Sequence, residues 1–124
     1  METPDRPLAE RPVVATEPTA VSTAEQFQNQ TLRPILKLLD HSIFTFWQHH
    51  WPKRKTPFDR FSRHEKLAHI ERAIREDTRL RLQLVGMVLG HFTPDEWTIF
   101  TSDEAEITRR LLNLLIERLQ SHVK

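Results

Sequence analysis

Cysteine and glycine are the residues that this sequence has least of. Its 124 residues include no cysteine and only two glycines. Without a thiol the chain forms no disulfide, no thiolate metal site and no cysteine nucleophile, as is usual in a reducing compartment. It also has no glycine-rich phosphate loop and no serine in a nucleophile-elbow context. These absences exclude several common classes of enzyme.

Long apolar runs are missing as well. The longest is far short of the roughly 20 residues that span a bilayer, and the N-terminus lacks the basic start and apolar stretch of a secretory signal. A formal net charge of +1 gives no overall preference for anionic or cationic partners. We therefore expect a soluble, cytoplasmic protein with a single domain.

Proline is unevenly distributed along the chain. Four of the eight prolines fall in the first eighteen residues, and residues 1–22 contain no aromatic side chain and no periodicity. Such a segment cannot bury enough apolar surface to offset its ordering entropy. The sequence therefore predicts a disordered tail over 1–22, which packs on nothing, and a helical domain over 23–124.

The first helix has two candidate starts. Ser22 with a glutamate three residues later has capping-box spacing, whereas Thr31 is followed by Pro34, and proline is tolerated mainly in a first turn. From there an apolar stripe continues to about His50. We expect Pro52 to end the helix.

Two further helix starts carry stronger signals. Ser62 with Glu65 forms a capping box that predicts a second helix, ending near Glu76. Thr93–Glu96 combines an N-cap, proline at the first position and glutamate at the third, which predicts the last helix. A break that re-caps at Ser102 is an alternative within it.

The stretch from Leu80 to Phe92 is apolar on nearly every side, a pattern typical of a helix that other elements surround. We expect it to be the central helix, capped by Asp77 or Thr78. Gly86 and Gly90 lie four residues apart and leave one helix face without side chains. They predict a close contact with another helix, where a larger side chain would destabilise the fold.

Basic and aromatic residues alternate between residues 49 and 66. This composition is typical of surfaces that bind phosphates and stack on bases. The favoured alternative is that Phe58 and Phe61 close one end of the bundle while the charges keep the connector solvated. An acidic stretch from Asp95 to Glu106 offers the connector a partner within or between subunits. The residues of the candidate patch for an anionic partner are His49, Trp51, Lys53, Arg54, Lys55, Arg60 and Arg63.

Seven histidines raise the question of a metal site. His64 and His69 resemble the HExxH pattern, but they are five residues apart and diverge by about 140° on a helix. We predict no metal site and no cofactor.

The segment from Leu84 to Thr93, together with Trp97 and the segments 103–107 and 114–119, resembles a family of short helical bacterial proteins that are often labelled glyoxalase. The resemblance covers the chain from about Gln28 to Val123. The label implies a small enzyme similar to lactoylglutathione lyase. However, the metal-ligand patterns of glyoxalases I and II do not occur here, and no catalytic residue is carried over.

Taken together, the sequence predicts an all-α, four-helix bundle-like domain. The favoured function is a non-catalytic module that binds a protein partner or itself. The alternatives are a small glyoxalase-type enzyme and a nucleic-acid accessory protein that uses the basic connector.

Overall fold

A computed structural model describes residues 11–12, 22–53 and 57–124, with only the backbone of residues 52 and 53. The protein is an all-α single domain, and the described residues form five helices and no strand. The first helix, α1, is continuous and comprises an α-helical Thr23–Phe27, a π-helical Gln28–Leu32 and an α-helical Arg33–Lys53. The others are α2 (Arg63–Glu76), α3 (Thr78–Leu89), α4 (Pro94–Ser102) and α5 (Glu104–Gln120).

Helix α1 begins at the earlier of the two predicted starts. The Ser22 hydroxyl accepts a hydrogen bond from the Glu25 backbone N–H at 3.1 Å. Pro34 therefore lies inside the helix, directly after a π-helical turn in which the Arg33 N–H donates to the Gln28 carbonyl. Proline has no N–H and its ring collides with the carbonyl four residues earlier, and the wider turn relieves that collision. This local adjustment lets the helix continue through Pro34.

The predicted end of α1 near His50 is too early. The helix includes Pro52 and ends at Lys53. Pro52 removes one hydrogen bond from the last turn of the helix. This lowers stability only slightly, because most carbonyls of a last turn lack helical partners anyway.

The predicted capping box at Ser62 and the predicted helix start at Thr93 are both confirmed, and each forms a capping box. At α2, the Glu65 N–H donates to the Ser62 hydroxyl at 3.2 Å and the Ser62 N–H donates to the Glu65 carboxylate at 2.9 Å. At α4, Thr93 and Glu96 make the same two bonds, at 3.2 and 2.9 Å. Each box joins residues three positions apart, so sequence spacing alone specifies it.

The predicted last helix is divided into α4 and α5. The break lies at Asp103, where φ is −150° and ψ is 47°. Ser102 does not cap α5, because its hydroxyl donates back to the Ile99 carbonyl at 2.7 Å. The part of the chain that the structure describes therefore has five helices where four were predicted.

Helix α5, and not α3, is the centre of the domain. It contacts each of the other four helices, and Ile107, Leu111 and Leu115 on it are fully buried. Helix α3 buries one side only and leaves the side chain of Leu82 62% exposed. The prediction of a central α3 is wrong, because the two glycines make its sequence look apolar without adding side chains that need burial.

The predicted close helix contact at Gly86 and Gly90 is also wrong among the helices that the structure describes. A Cβ placed on Gly86 meets no atom within 4 Å, and one on Gly90 lies nearest, at 3.4 Å, to the carbonyl of Gly86 in the same helix. The glycines therefore lie on the open side of α3. Among the described residues, no helix is both long and apolar enough to cross a membrane.

We expect Gly86→Ala to stabilise the monomer by about 0.5–1 kcal/mol, since alanine is the better helix former and the added methyl group meets no neighbour. Urea unfolding at a concentration where the protein is monomeric measures the change. A loss of stability would show that another part of the chain approaches Gly86.

Candidate functional site

The structure places only part of the predicted basic patch. His49, Arg60 and Arg63 are exposed, as expected for residues that bind an anionic partner. Arg54, Lys55 and the Lys53 side chain lie outside the described residues. Whether the cations converge on one surface therefore stays a prediction.

The aromatic residues of this stretch pack against one another at one end of the bundle. Phe58 is buried, and its ring centroid lies 5.3 Å from Trp51, 5.6 Å from Trp47 and 6.1 Å from Phe61. The ammonium group of Lys66 lies 5.6 Å from the same ring. The geometry agrees with the alternative in which Phe58 and Phe61 close the bundle end. These rings already contact one another, which limits the area on which a base can stack.

A cleft of about 300 Å³ opens beside this aromatic cluster, between α1 and α2. The His50 ring Nε2 lies 3.1 Å from Oδ2 of Asp77, and the other oxygen of that carboxylate accepts from the Leu80 N–H at 3.2 Å. Asp77 thus caps α3 and holds the His50 ring at the cleft. The residues that line it are Trp47, His50, Trp51, His69, Arg72, Ala73, Glu76 and Asp77.

The cleft is lined by two histidines, an arginine and two carboxylates, all of which can form hydrogen bonds. Its lining includes no serine, threonine or lysine, and the chain has no cysteine. In the part of the chain that the structure describes, no three histidine, aspartate or glutamate side chains are grouped so that they could hold a metal ion. Such groups can orient a small polar molecule by hydrogen bonds.

The predicted acidic stretch does not form one open surface. Asp95, Asp103 and Glu104 are exposed. Glu106 is paired with two arginines of its own helix, whose hydrogen bonds lower the pKa of its carboxyl to about 2. Glu96 is buried. Two of the five carboxylates are therefore already neutralised by neighbouring cations.

Glu96 belongs to a network that links residues from distant parts of the sequence. The guanidinium of Arg11 donates from Nη1 to Oε2 at 2.6 Å and from Nη2 to Oε1 at 2.8 Å. The Thr31 hydroxyl donates to the same carboxylate at 3.2 Å, and Nη2 of Arg11 also donates to the His91 carbonyl. The Arg11 side chain is only 4% exposed. Most of the predicted tail lies outside the described residues, but at Arg11 the expectation that it packs on nothing is wrong.

The charge state of Glu96 follows from two opposing effects. Burial on its own raises the pKa of the carboxyl, but hydrogen bonds from Arg11, from the Thr93 N–H and from Thr31 outweigh it. The pKa therefore lies below its ordinary value, and the carboxylate is ionised at neutral pH. A buried ion pair with this many hydrogen bonds meets the condition under which burial of two charges is tolerated.

The open side of α3 is the second notable surface. Arg79, Leu82, Gly86 and Gly90 follow one another at spacings of three and four residues, so they share one face of the helix. All four are exposed, and Leu82 is the most exposed large apolar residue of the described chain. Both glycines of the sequence lie on this face. The four-residue spacing of Gly86 and Gly90 predicted that they share a face, but that face was assigned to the interior.

Comparisons of the chain with protein-family models, with curated proteins and with solved structures give no match.

We expect Glu96→Gln to lower the free energy of unfolding by about 2 kcal/mol or more at pH 7, because it leaves the Arg11 charge buried without a counter-ion. A carboxyl whose pKa is depressed in the folded state contributes stability above its unfolded pKa and loses it as the pH falls through the folded value. The difference between the parent and the variant should therefore shrink below about pH 4. Urea unfolding between pH 7 and pH 3 measures it.

Glu106→Gln is the matched control for this prediction. It removes a half-buried carboxylate that is paired within its own helix, and ion pairs in contact with solvent contribute little to stability. A Glu96→Gln variant as stable as the parent at pH 7, or a difference that grows on acidification, would contradict the account of the network.

Proposed function

We propose that the protein is a non-catalytic helical module that self-associates through the exposed face of α3. The observation that carries the proposal is that the packing of the described residues requires glycine at neither position 86 nor position 90. Gly86 lies within α3, and Gly90 has right-handed helical backbone angles. Neither glycine is crowded by another helix of the described chain. A glycine-lined surface that packing within the domain does not explain is suited to the close approach of a second molecule.

The cost of these glycines supports this interpretation. Glycine within a helix lowers stability by roughly 1 kcal/mol relative to alanine. Neither the backbone conformation nor the packing of the described residues requires glycine at position 86. In contrast, a helix face lined by glycine lets a partner's backbone approach more closely than a face that carries side chains.

A second copy of this chain fits the face better than an unrelated surface does. A two-fold contact needs a patch that is complementary to itself. In an antiparallel crossing of two α3 helices, Leu82 of one copy lies over the hollow at Gly86 and Gly90 of the other, and the reverse contact forms at the same time. One helix thus supplies both the knob and the hole.

The charge at the end of the face favours the same arrangement. Arg79 lies in the first turn of α3, where the helix dipole disfavours a cation. In an antiparallel pair this side chain faces the C-terminal turn of the partner's α3, where the dipole favours a cation. Both ends of the contact benefit equally because the arrangement is symmetric.

Fewer observations support the other functions predicted from the sequence. A nucleic-acid role loses part of its stacking surface, since Trp51, Phe58 and Phe61 contact other rings. A salt-dependent contact between the basic connector and the acidic stretch would have to do without Glu96 and Glu106, which have partners already. A glyoxalase-type enzyme lacks an observed metal-ligand set among the described residues.

Sedimentation velocity on the parent and two variants tests the proposal. We expect the parent to dimerise with a concentration dependence that changes little with salt, because the contact is mainly apolar. Leu82→Glu should be a folded monomer, since each copy would bury an unpaired carboxylate against the glycines of the other. Ala68→Glu is the matched control, as it adds the same charge at an exposed apolar position of α2 and should dimerise like the parent.

A parent that is monomeric over the whole accessible concentration range would overturn the proposal, and so would a Leu82→Glu variant that dimerises normally. An oligomer that dissociates at high salt would instead place the contact at the basic connector, where exposed charges are screened over about 8 Å. Circular dichroism confirms that each variant is folded.

A further inference from the structure

The environment of Glu96 has the features of a ligand-binding site. The carboxylate is held in one orientation from the protein side, by the Thr93 N–H at 2.9 Å and by the Thr31 hydroxyl at 3.2 Å. The His91 carbonyl points at the same place. Two carboxylate oxygens and one carbonyl oxygen thus converge on a buried position, with the donors that fix them already supplied by α1 and by the α4 N-terminus.

We propose that these groups form a binding site for the guanidinium of an arginine side chain, which Arg11 of the same chain occupies. The proposal does not depend on self-association through α3. It predicts that the site, once Arg11 is removed, accepts a guanidinium supplied from solution or from another peptide.

The geometry selects guanidinium over ammonium. Nη1 and Nη2 of Arg11 bond separately to the two oxygens of Glu96, at 2.6 and 2.8 Å, in the forked arrangement that a planar guanidinium makes with a carboxylate. Nη2 uses its second hydrogen on the His91 carbonyl. A lysine ammonium is a single donor centre and does not reproduce three bonds of this fixed geometry.

The site recognises the end of the side chain and little of its stem. Nε of Arg11 is buried and has no hydrogen-bond partner among the described residues. All three oxygens bond to the Nη atoms, which a molecule as small as methylguanidinium retains. This truncated ion is therefore a fair probe of the site.

The location of the site gives the contact a structural effect. Thr31 belongs to α1, His91 follows α3, and Glu96 lies in the first turn of α4. A guanidinium at this point bridges the end of α3 to α4 and neutralises the carboxylate beside α1. The bound arginine thus packs at the junction of three helices. It comes from a segment 85 residues before Glu96 in the sequence.

Thermal unfolding of the full chain with Arg11→Ala tests the proposal. Removing one member of a buried pair leaves the other uncompensated, and we expect the melting temperature to fall by about 5 °C or more. Methylguanidinium should then raise the melting temperature of Arg11→Ala in a saturable manner, while it leaves the parent unaffected or slightly destabilised. Methylammonium at the same concentration should not rescue the variant.

Two controls make the test specific. Arg6→Ala removes the other Arg–Pro dipeptide of the N-terminal segment and should melt like the parent. Arg11→Ala combined with Glu96→Gln should lose the rescue, since the carboxylate that binds the ion is gone. If Arg11→Ala is unfolded at the starting temperature, recovery of its helical circular dichroism with methylguanidinium is the equivalent readout.

The proposal is overturned if methylguanidinium does not stabilise Arg11→Ala, if methylammonium rescues it equally, or if the double variant is rescued as well. An Arg6→Ala variant that is as unstable as Arg11→Ala would also overturn it, because the effect would then belong to the net charge of the segment.

Discussion

Burial of the last helix is the constraint on which the rest of this fold depends. Helix α5 presents apolar side chains over much of its circumference, and six of them are buried, from Ile107 to Leu119. Full burial of each such side chain stabilises the fold by about 1.5–3 kcal/mol. No single helix can cover so much apolar surface, so the other four surround α5. The chain therefore forms a domain whose last helix, and not its most apolar one, is the centre.

Glu96 provides the polar counterpart of this core. Its carboxylate accepts hydrogen bonds from the Thr93 N–H at the start of α4, from Thr31 of α1 and from Arg11, and thus joins three distant parts of the sequence. Such a group is tolerated because all of these partners are present at once. Hydrophobic burial determines which helices meet, whereas this network fixes how the N-terminal ends of α1 and α4 are aligned.

Most of the local structure was predictable from the sequence, for a physical reason. The capping boxes at Ser62 and Thr93 and the cap at Asp77 depend on bonds between residues three positions apart, and spacing specifies them. The all-α class follows from the periodicity of the apolar residues. The continuation of α1 through Pro34 was not predictable, because it depends on a π-helical turn that no pattern in the sequence predicts.

The candidate sites were less predictable, because they depend on long-range geometry. The spacing of Gly86 and Gly90 shows that they share a face, but only the packed fold shows that this face is open. Arg11 gave no signal in the sequence, since its partner lies 85 residues away. Glu96 was recognised as a capping residue, and its second role emerged only from the tertiary structure. Among the patch residues, periodicity did not show that the Trp51 ring packs against Phe58.

The open face of α3 follows directly from the central position of α5. Because α3 packs from one side only, Leu82 and both glycines are left on the surface, where they become available to a partner. Had α3 been central, the same residues would have been an internal crossing with no bearing on function. The proposed role of α3 therefore depends on the claim that α5, and not α3, is the central helix.

Amide hydrogen exchange of the monomeric protein tests that claim most directly. The account predicts that the slowest-exchanging amides lie in α5 between Ile107 and Leu119, and that α3 exchanges faster, as expected for a helix at the periphery of a domain. Slowest exchange in α3, around Gly86, would contradict the account and restore α3 as the central helix.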